Sequence, residues 1–199
     1  MKLSQSPSLF LLLGVPLALA CSDTSGPTDA INPVAASAGH QAAIKATGRV
    51  GFGFNGTVSG FSTSEVRLTG GGSYDPTTAS NAVPAETSVA SGGGFDCVAT
   101  VAQGPLTGCT TGQGVRWDTA QLLASTSFKC SPTDVSKPAT TDAHTVVLLA
   151  DFYRAGDGND ESFTAQMIVS DGDLAPNIPG IQNLWVQGVG CGTAIVNFN

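Results

Sequence analysis

The stretch DFYRAGDGNDESF, residues 151–163, sets Asp151, Asp157, Asp160 and Glu161 around two glycines. Carboxylates gathered in this way are the groups that hold a hard cation. Calcium takes six to eight oxygens at about 2.3 to 2.6 Å, and Asp157, Asn159, Asp160 and Glu161 would supply side chains for a low-affinity site. The helix-loop-helix calcium motif needs a glycine where this chain has Ser162, so that motif is absent. Turns demand the same residue types. Asp157-Gly158 between two apolar runs signals a hairpin turn with positive φ, which is the expected role, and calcium binding is the alternative. A second acidic turn, Asp171-Gly172-Asp173, follows one strand later. Antiparallel strands reverse, so it falls at the other end of the hairpin and cannot share an ion with the first.

Other chemistry is thinly represented. His144 is the only histidine beyond residue 47, and it opens an apolar run, where a structural or exposed role is expected rather than a general base. His40 lies in a Ser/Thr/Ala/Gly-rich stretch and reads as a solvated bystander. The string GTVSG at 56–60 lacks the spacing of a hydrolase nucleophile elbow. Asp75, Asp96, Asp118 and Asp151 are candidates for the carboxylate pair of a glycan-cleaving enzyme, which requires separations of about 5 to 9.5 Å. Trp117, Tyr153 and Trp185, with Tyr74, are candidates for a flat platform that stacks on sugar rings, although two tryptophans in a β domain are more often core or rim residues, which is the expected role. The triplets GGGSYD (70–75) and GGGFD (92–96) lack the Lys-Ser/Thr continuation of a phosphate loop and are expected to be related turns or bulges at one edge.

Residues that position such groups begin after a leader. MKLSQSPSLFLLLGVPLALAC carries one positive charge at Lys2 and an apolar run from Leu9 to Ala20. That run is shorter than the roughly 20 residues a helix needs to cross about 30 Å of hydrocarbon, so residues 1–20 read as a cleaved signal peptide. Leu17-Ala18-Leu19-Ala20-Cys21 resembles the lipobox of bacterial lipoproteins. The resemblance implies cleavage before Cys21, acylation of its thiol and new amino group, and membrane attachment through acyl chains. With Ser22 after the cysteine, it also implies sorting to the outer membrane or cell surface if the source has two membranes. A plain secretory signal, cut after Ala18-x-Ala20, is the alternative.

Residues 21–47 then comprise the lipidated cysteine and a Ser/Thr/Ala/Gly/Pro-rich tether with neither helical nor strand periodicity. Coil dimensions give the tether a reach of about 28 Å. Without the leader the chain has seven basic residues against fifteen acidic ones, a net charge of about −8. No Lys/Arg cluster accompanies them, which excludes nucleic acid and anionic lipid as expected partners and leaves an envelope glycan or protein.

Cys97, Cys109, Cys130 and Cys191 remain, an even number that predicts two disulfides in an exported chain, and their wide spacing does not suit zinc. Cys97 and Cys109 lie symmetrically about Gln103 and could face each other across a hairpin, leaving Cys130 for Cys191. A link between Cys97 and Cys130 suits the same inward faces and stays open.

From residue 48 onward apolar residues alternate with period two, punctuated by Gly, Pro, Asn and Asp. Val50, Phe52 and Phe54 share one face, as do Val66 and Leu68, Phe95, Cys97, Ala99 and Val101, and Phe163, Ala165, Met167 and Val169. HTVVLLADFYR is apolar on both faces, which suits a central strand. Asp118 to Leu123 admits a short helical turn. Residues 48–199 are expected to form a single all-β domain, a disulfide-braced sandwich of about seven antiparallel strands, with a small barrel as the alternative. The stretch FYRAGDGNDESFTAQMIVSDGD with the final GVGCGTAIVNFN is similar to small exported bacterial β domains without assigned chemistry, which implies fold and compartment only. The expected function is a lipid-anchored envelope binding or structural module without catalysis and without a cofactor. A glycan hydrolase and a calcium-dependent adhesion domain are the alternatives.

Overall fold

A computed structural model describes residues 48–82, 89–154 and 161–199. The leader, Cys21 and the tether lie outside the described residues, and so do Asp157, Asn159 and Asp160. The described chain is all-β apart from one 3-10 turn at Pro76–Thr78. Eight strands form a closed antiparallel barrel: β1 (Val50–Gly60), β2 (Glu65–Tyr74), β3 (Val89–Ala99), β4 (Arg116–Leu123), β7 (Thr145–Arg154), β8 (Glu161–Ser170), β9 (Leu184–Val186) and β10 (Gly190–Phe198). Each strand pairs with the next in this series, and β10 returns to β1. A two-stranded hairpin, β5 (Ser125–Phe128) and β6 (Lys137–Thr140), is inserted between β4 and β7.

Of the two expected architectures the sandwich is not formed and the small barrel is, since the sheet closes on itself. Alternation along a strand says which face is buried, but one buried face looks the same whether it meets a second sheet or the inside of its own. The predicted hairpin of residues 144–154 and 162–170 is β7 and β8, in register from Thr145 opposite Ser170 to Arg154 opposite Glu161. Asp118 to Leu123 is strand rather than helix. It carries a bulge at Ala120, because Thr119 faces Ala150 while Gln121 already faces Leu149.

Side chains fill the interior. Phe52, Phe54, Tyr74, Phe95, Trp117, Phe152 and Met167 are all buried there, with Phe95 edge-to-face on Phe152 at 5.2 Å. An eight-stranded barrel is just wide enough for such filling. The loop after β3 closes one end by burying Val101, Leu106 and Cys109 in the same core. Disulfides join Cys97 to Cys109 and Cys130 to Cys191, with Cα separations of 6.2 and 4.7 Å. This is the pairing expected from the hairpin argument. The second strand of that hairpin does not form, however, since β3 ends at Ala99 and the chain then turns through residues 100–115.

β7 is covered on both sides, as its two-faced apolar pattern requires. Leu123, Val147, Ile168, Trp185 and Cys191 point outward from the barrel and are covered by Phe128 and Ala139 of the β5–β6 hairpin and by Ala175 after β8. One flank of the barrel thus has a second core on its outside, pinned by the Cys130–Cys191 disulfide.

The glycine triplets are corrected as well. They are not edge loops but the middles of β2 and β3, where Gly70 faces Gly93 and Gly71 faces Gly92. Gly71 also faces Gly53 of β1. A Cβ on Gly70 would intrude on the Trp117 ring at Cζ2 and lie 2.8 Å from the Gly92 oxygen. Removing those side chains lets neighbouring backbones and an inward tryptophan approach closely, as the curvature of a small barrel requires.

Candidate functional site

Both tryptophans nominated for a sugar platform point into packed cores. The Trp117 indole lies against Phe54 at 5.8 Å and donates from Nε1 to the Thr69 carbonyl at 3.0 Å. Trp185 packs on Phe128 and donates to the Lys129 carbonyl at 2.8 Å. With their N–H groups satisfied and their rings buried, neither offers a stacking face. Tyr153 is half-buried on the outer wall of β7, and the Arg116 guanidinium sits 4.4 Å from its ring centroid. That cation covers the face a sugar would use.

Of the four candidate carboxylates, only Asp118 and Asp151 are brought together, directly opposite each other on β4 and β7. Both are engaged locally: Arg116 Nε lies 3.4 Å from Asp118, and the Thr164 hydroxyl donates to Asp151 at 2.7 Å. Asp96 pairs with Arg67 at 3.3 Å, further along the wall. Asp75 caps the 3-10 turn, and bonds from the Thr77 hydroxyl and amide hold its carboxyl below the usual range. Among the described residues no group of three or more His, Cys, Asp or Glu is placed to hold a metal ion. Of the four residues named for calcium only Glu161 is placed, as the first residue of β8.

A groove of about 430 Å³ lies on the outer wall over β1, β2 and β3. Asn55, Arg67, Thr69, Gly94, Phe95, Asp96 and Val115 line it. Alternation turns Phe54, Leu68 and Phe95 inward, so Asn55, Arg67, Thr69 and Asp96 must face out. Gly94 adds to the depth, because it lines the groove with backbone alone. An amide, a hydroxyl, a guanidinium and a carboxylate thus surround the Gly94 backbone, with Val115 at one margin. The alternation that puts Val66 and Leu68 inside puts Arg67 and Thr69 on the outer face of β2, but it does not show the groove. The available signal was the adjacent glycine triplet, read as a turn.

A second, smaller cleft of about 270 Å³ opens at the rim where β10 ends, lined by Val50, Ala143, His144, Asp171, Phe198 and Asn199. His144 is exposed, as expected, and its Nδ1 lies 2.7 Å from Asp171 Oδ2. That hydrogen bond and the carboxylate charges of Asp171 and Asp142 raise the imidazole pKa above its ordinary value. Beneath, the Tyr74 phenol donates to the Asp142 carbonyl at 2.6 Å, and burial pushes its pKa well above the usual tyrosine value. Tyr74 is thus a strut for the turn that carries His144, not an acid.

Comparison with known proteins finds no matching family model, no similar curated protein and no similar solved structure.

Proposed function

We propose that this chain is a lipid-anchored binding module of the cell envelope, without catalytic activity, that takes its ligand on the outer wall of the barrel. The observation that carries the reading is the polar groove over β1–β3, set on a barrel whose interior is filled with side chains. A ligand of that size must bind outside, and the groove offers paired donors and acceptors rather than a deep apolar pocket. Vicinal hydroxyls of a saccharide match such a set: Asp96 and Asn55 accept, Arg67 and Thr69 donate, and exposed backbone at Gly94 meets a ring edge. The anchor at Cys21 keeps the barrel at the envelope, where such glycans are found.

The test is calorimetric titration of the full chain with soluble fragments of envelope glycans, repeated with Asn55→Ala and Asp96→Asn. Binding weakened by either variant, with an unchanged melting temperature, supports the reading. A glycan that binds both variants as well as the parent chain refutes the groove. Cleavage of the glycan, lost in Asp151→Asn, would replace binding by hydrolysis at the Asp118–Asp151 pair. The anchor is tested separately: Cys21→Ser should abolish lipidation and release the protein from membranes, and unchanged membrane association would refute it.

A further inference from the structure

β9 closes the barrel over only three residues, with Gly190, Cys191 and Gly192 of β10 facing Val186, Trp185 and Leu184. Beyond them Asn183 continues the seam, exchanging side-chain bonds with the Ala194 N–H and carbonyl at 2.7 and 3.0 Å. Past Ala194 the seam opens. Which backbone groups face the opening follows from the ladder on the other side of β10. Gly51 and Asn199 exchange both N–H···O bonds, so they form a hydrogen-bonded antiparallel pair. Such pairs alternate with non-bonded ones, which makes Phe52–Phe198 and Phe54–Val196 the non-bonded pairs. The N–H and C=O groups of Val196 and Phe198 therefore point away from β1, and Phe198 lines the rim cleft. Among the described residues no strand pairs with them there.

An unpaired strand edge is a template for another strand, and natural proteins blunt such edges when they are not used. This one is flanked instead by apolar surface. Val50, Ala143 and Phe198 line the cleft on one side of the edge, and on the outer side Ile195 and Ile181 are 83% and 55% exposed. We propose that the open half of β10 takes an extended segment of another protein by strand addition, the added segment alternating apolar residues and carrying a basic residue toward Asp171. The backbone of an added strand would satisfy Val196 and Phe198, which lie two residues apart and so need about four residues of partner. Its inward side chain would fill the cleft, and its outward ones would cover Ile195 and Ile181.

Charge selects the occupant. Asp171 and Asp142 face this rim with His144 hydrogen-bonded to Asp171, and the chain as a whole is acidic. A second copy of β10 would bring Ile195, Val196, Asn197 and Phe198, none of them cationic, against the same carboxylates. The site is separate from the outer-wall groove, so neither stands or falls with the other.

The experiment follows amide hydrogen exchange at Val196 and Phe198 in the full chain. Its probe is a blocked hexapeptide of alternating lysine and valine, and the counter-probe has glutamate for lysine. Both amides should exchange fast in the free chain and slow by about tenfold or more with saturating lysine probe. The glutamate probe should bind at least about threefold more weakly, as expected for one exposed ion pair made or reversed. Val196→Pro removes an edge donor that β1 does not use, and should abolish protection at Phe198 while the protein still melts cooperatively. If that variant does not fold, Asp171→Asn serves instead and should narrow the difference between the two probes. Amides already protected in the free chain would mean that the edge is filled by the chain itself or by a second copy, and would overturn the proposal. No protection at millimolar lysine probe, or equal binding of both probes, would do the same.

Discussion

Gly70→Ala tests why a glycine triplet lies in the middle of a barrel strand. The new Cβ would meet the Trp117 ring, the Gly92 oxygen at 2.8 Å and, at 3.0 Å, Trp117 Cε2. The ring has little room to retreat, because Trp117 is fully buried against Phe54 and its Nε1 is tied to the Thr69 carbonyl. Overpacking of this kind costs about 1 to 3 kcal/mol, and breaking the indole bond adds about 1 kcal/mol. For a domain of this size each kcal/mol moves the midpoint by roughly 2 to 4 °C, so the melting temperature should fall by about 4 to 16 °C. Gly94→Ala is the matched control from the other triplet. Its Cβ would meet only Thr69 Oγ1 at 3.3 Å and the Val115 oxygen at 3.7 Å. The unfolded chain loses freedom on gaining that methyl, a gain in stability of about 0.4 to 1 kcal/mol that offsets the crowding. Thermal melts followed by tryptophan fluorescence report the difference, since both tryptophans are in cores. Equal melting temperatures for the two variants would refute the close-approach account and return the triplets to flexible spacers.

The two disulfides should differ in worth. Chain entropy assigns about 3 kcal/mol to the Cys97–Cys109 link across 12 residues and about 4 kcal/mol to Cys130–Cys191 across 61, so paired alanine variants should melt in that order, and the reverse order would refute the ranking. His144 should titrate above the ordinary value of about 6.5 in an NMR experiment and return toward it in Asp171→Asn; an unchanged value in the variant would refute the pair. Because that pKa is raised in the folded state, the stabilisation is complete below the unfolded value and is lost as pH rises through the folded one. Asp75 has the opposite sign: its lowered pKa gives stabilisation above the unfolded carboxylate value that is lost as pH falls through the folded one. Millimolar calcium followed by chelator should leave the melting curve unchanged if residues 157–161 are a turn alone. A ligand at about 100 times its dissociation constant adds about 2.7 kcal/mol, so a rise of several degrees would make them a metal site.

Period-two alternation was enough to place the strands and most of their inward residues, because burial of one face is a local property of a pleated chain. Phe52, Phe54, Val66, Leu68 and Met167 are inside as the pattern requires. It did not locate the groove or the open edge, since both depend on which strands become neighbours. Asn55, Thr69 and Gly94 are far apart in the chain and meet only through the β1–β2–β3 register. The tryptophans are in cores, the more frequent role for them in a β domain, but local sequence left the platform open because an indole beside polar residues on a strand looks the same whether it faces out or in.

By itself, then, the sequence determined an all-β chain with a β7–β8 hairpin and a single even set of cysteines whose spacing favoured the observed pairing. Those properties depend on residues close in the chain or on parity. Tertiary structure alone decided that the sheet closes on itself, that the apolar outer face of β7 lies under an inserted hairpin, and that polar residues of three strands align around a groove. It also decided that β9 stops after three residues and, among the described residues, leaves one edge of the second half of β10 without a partner strand. Each of these depends on strand neighbours and register, which are set by the summed packing of the whole barrel and which no stretch of sequence specifies alone.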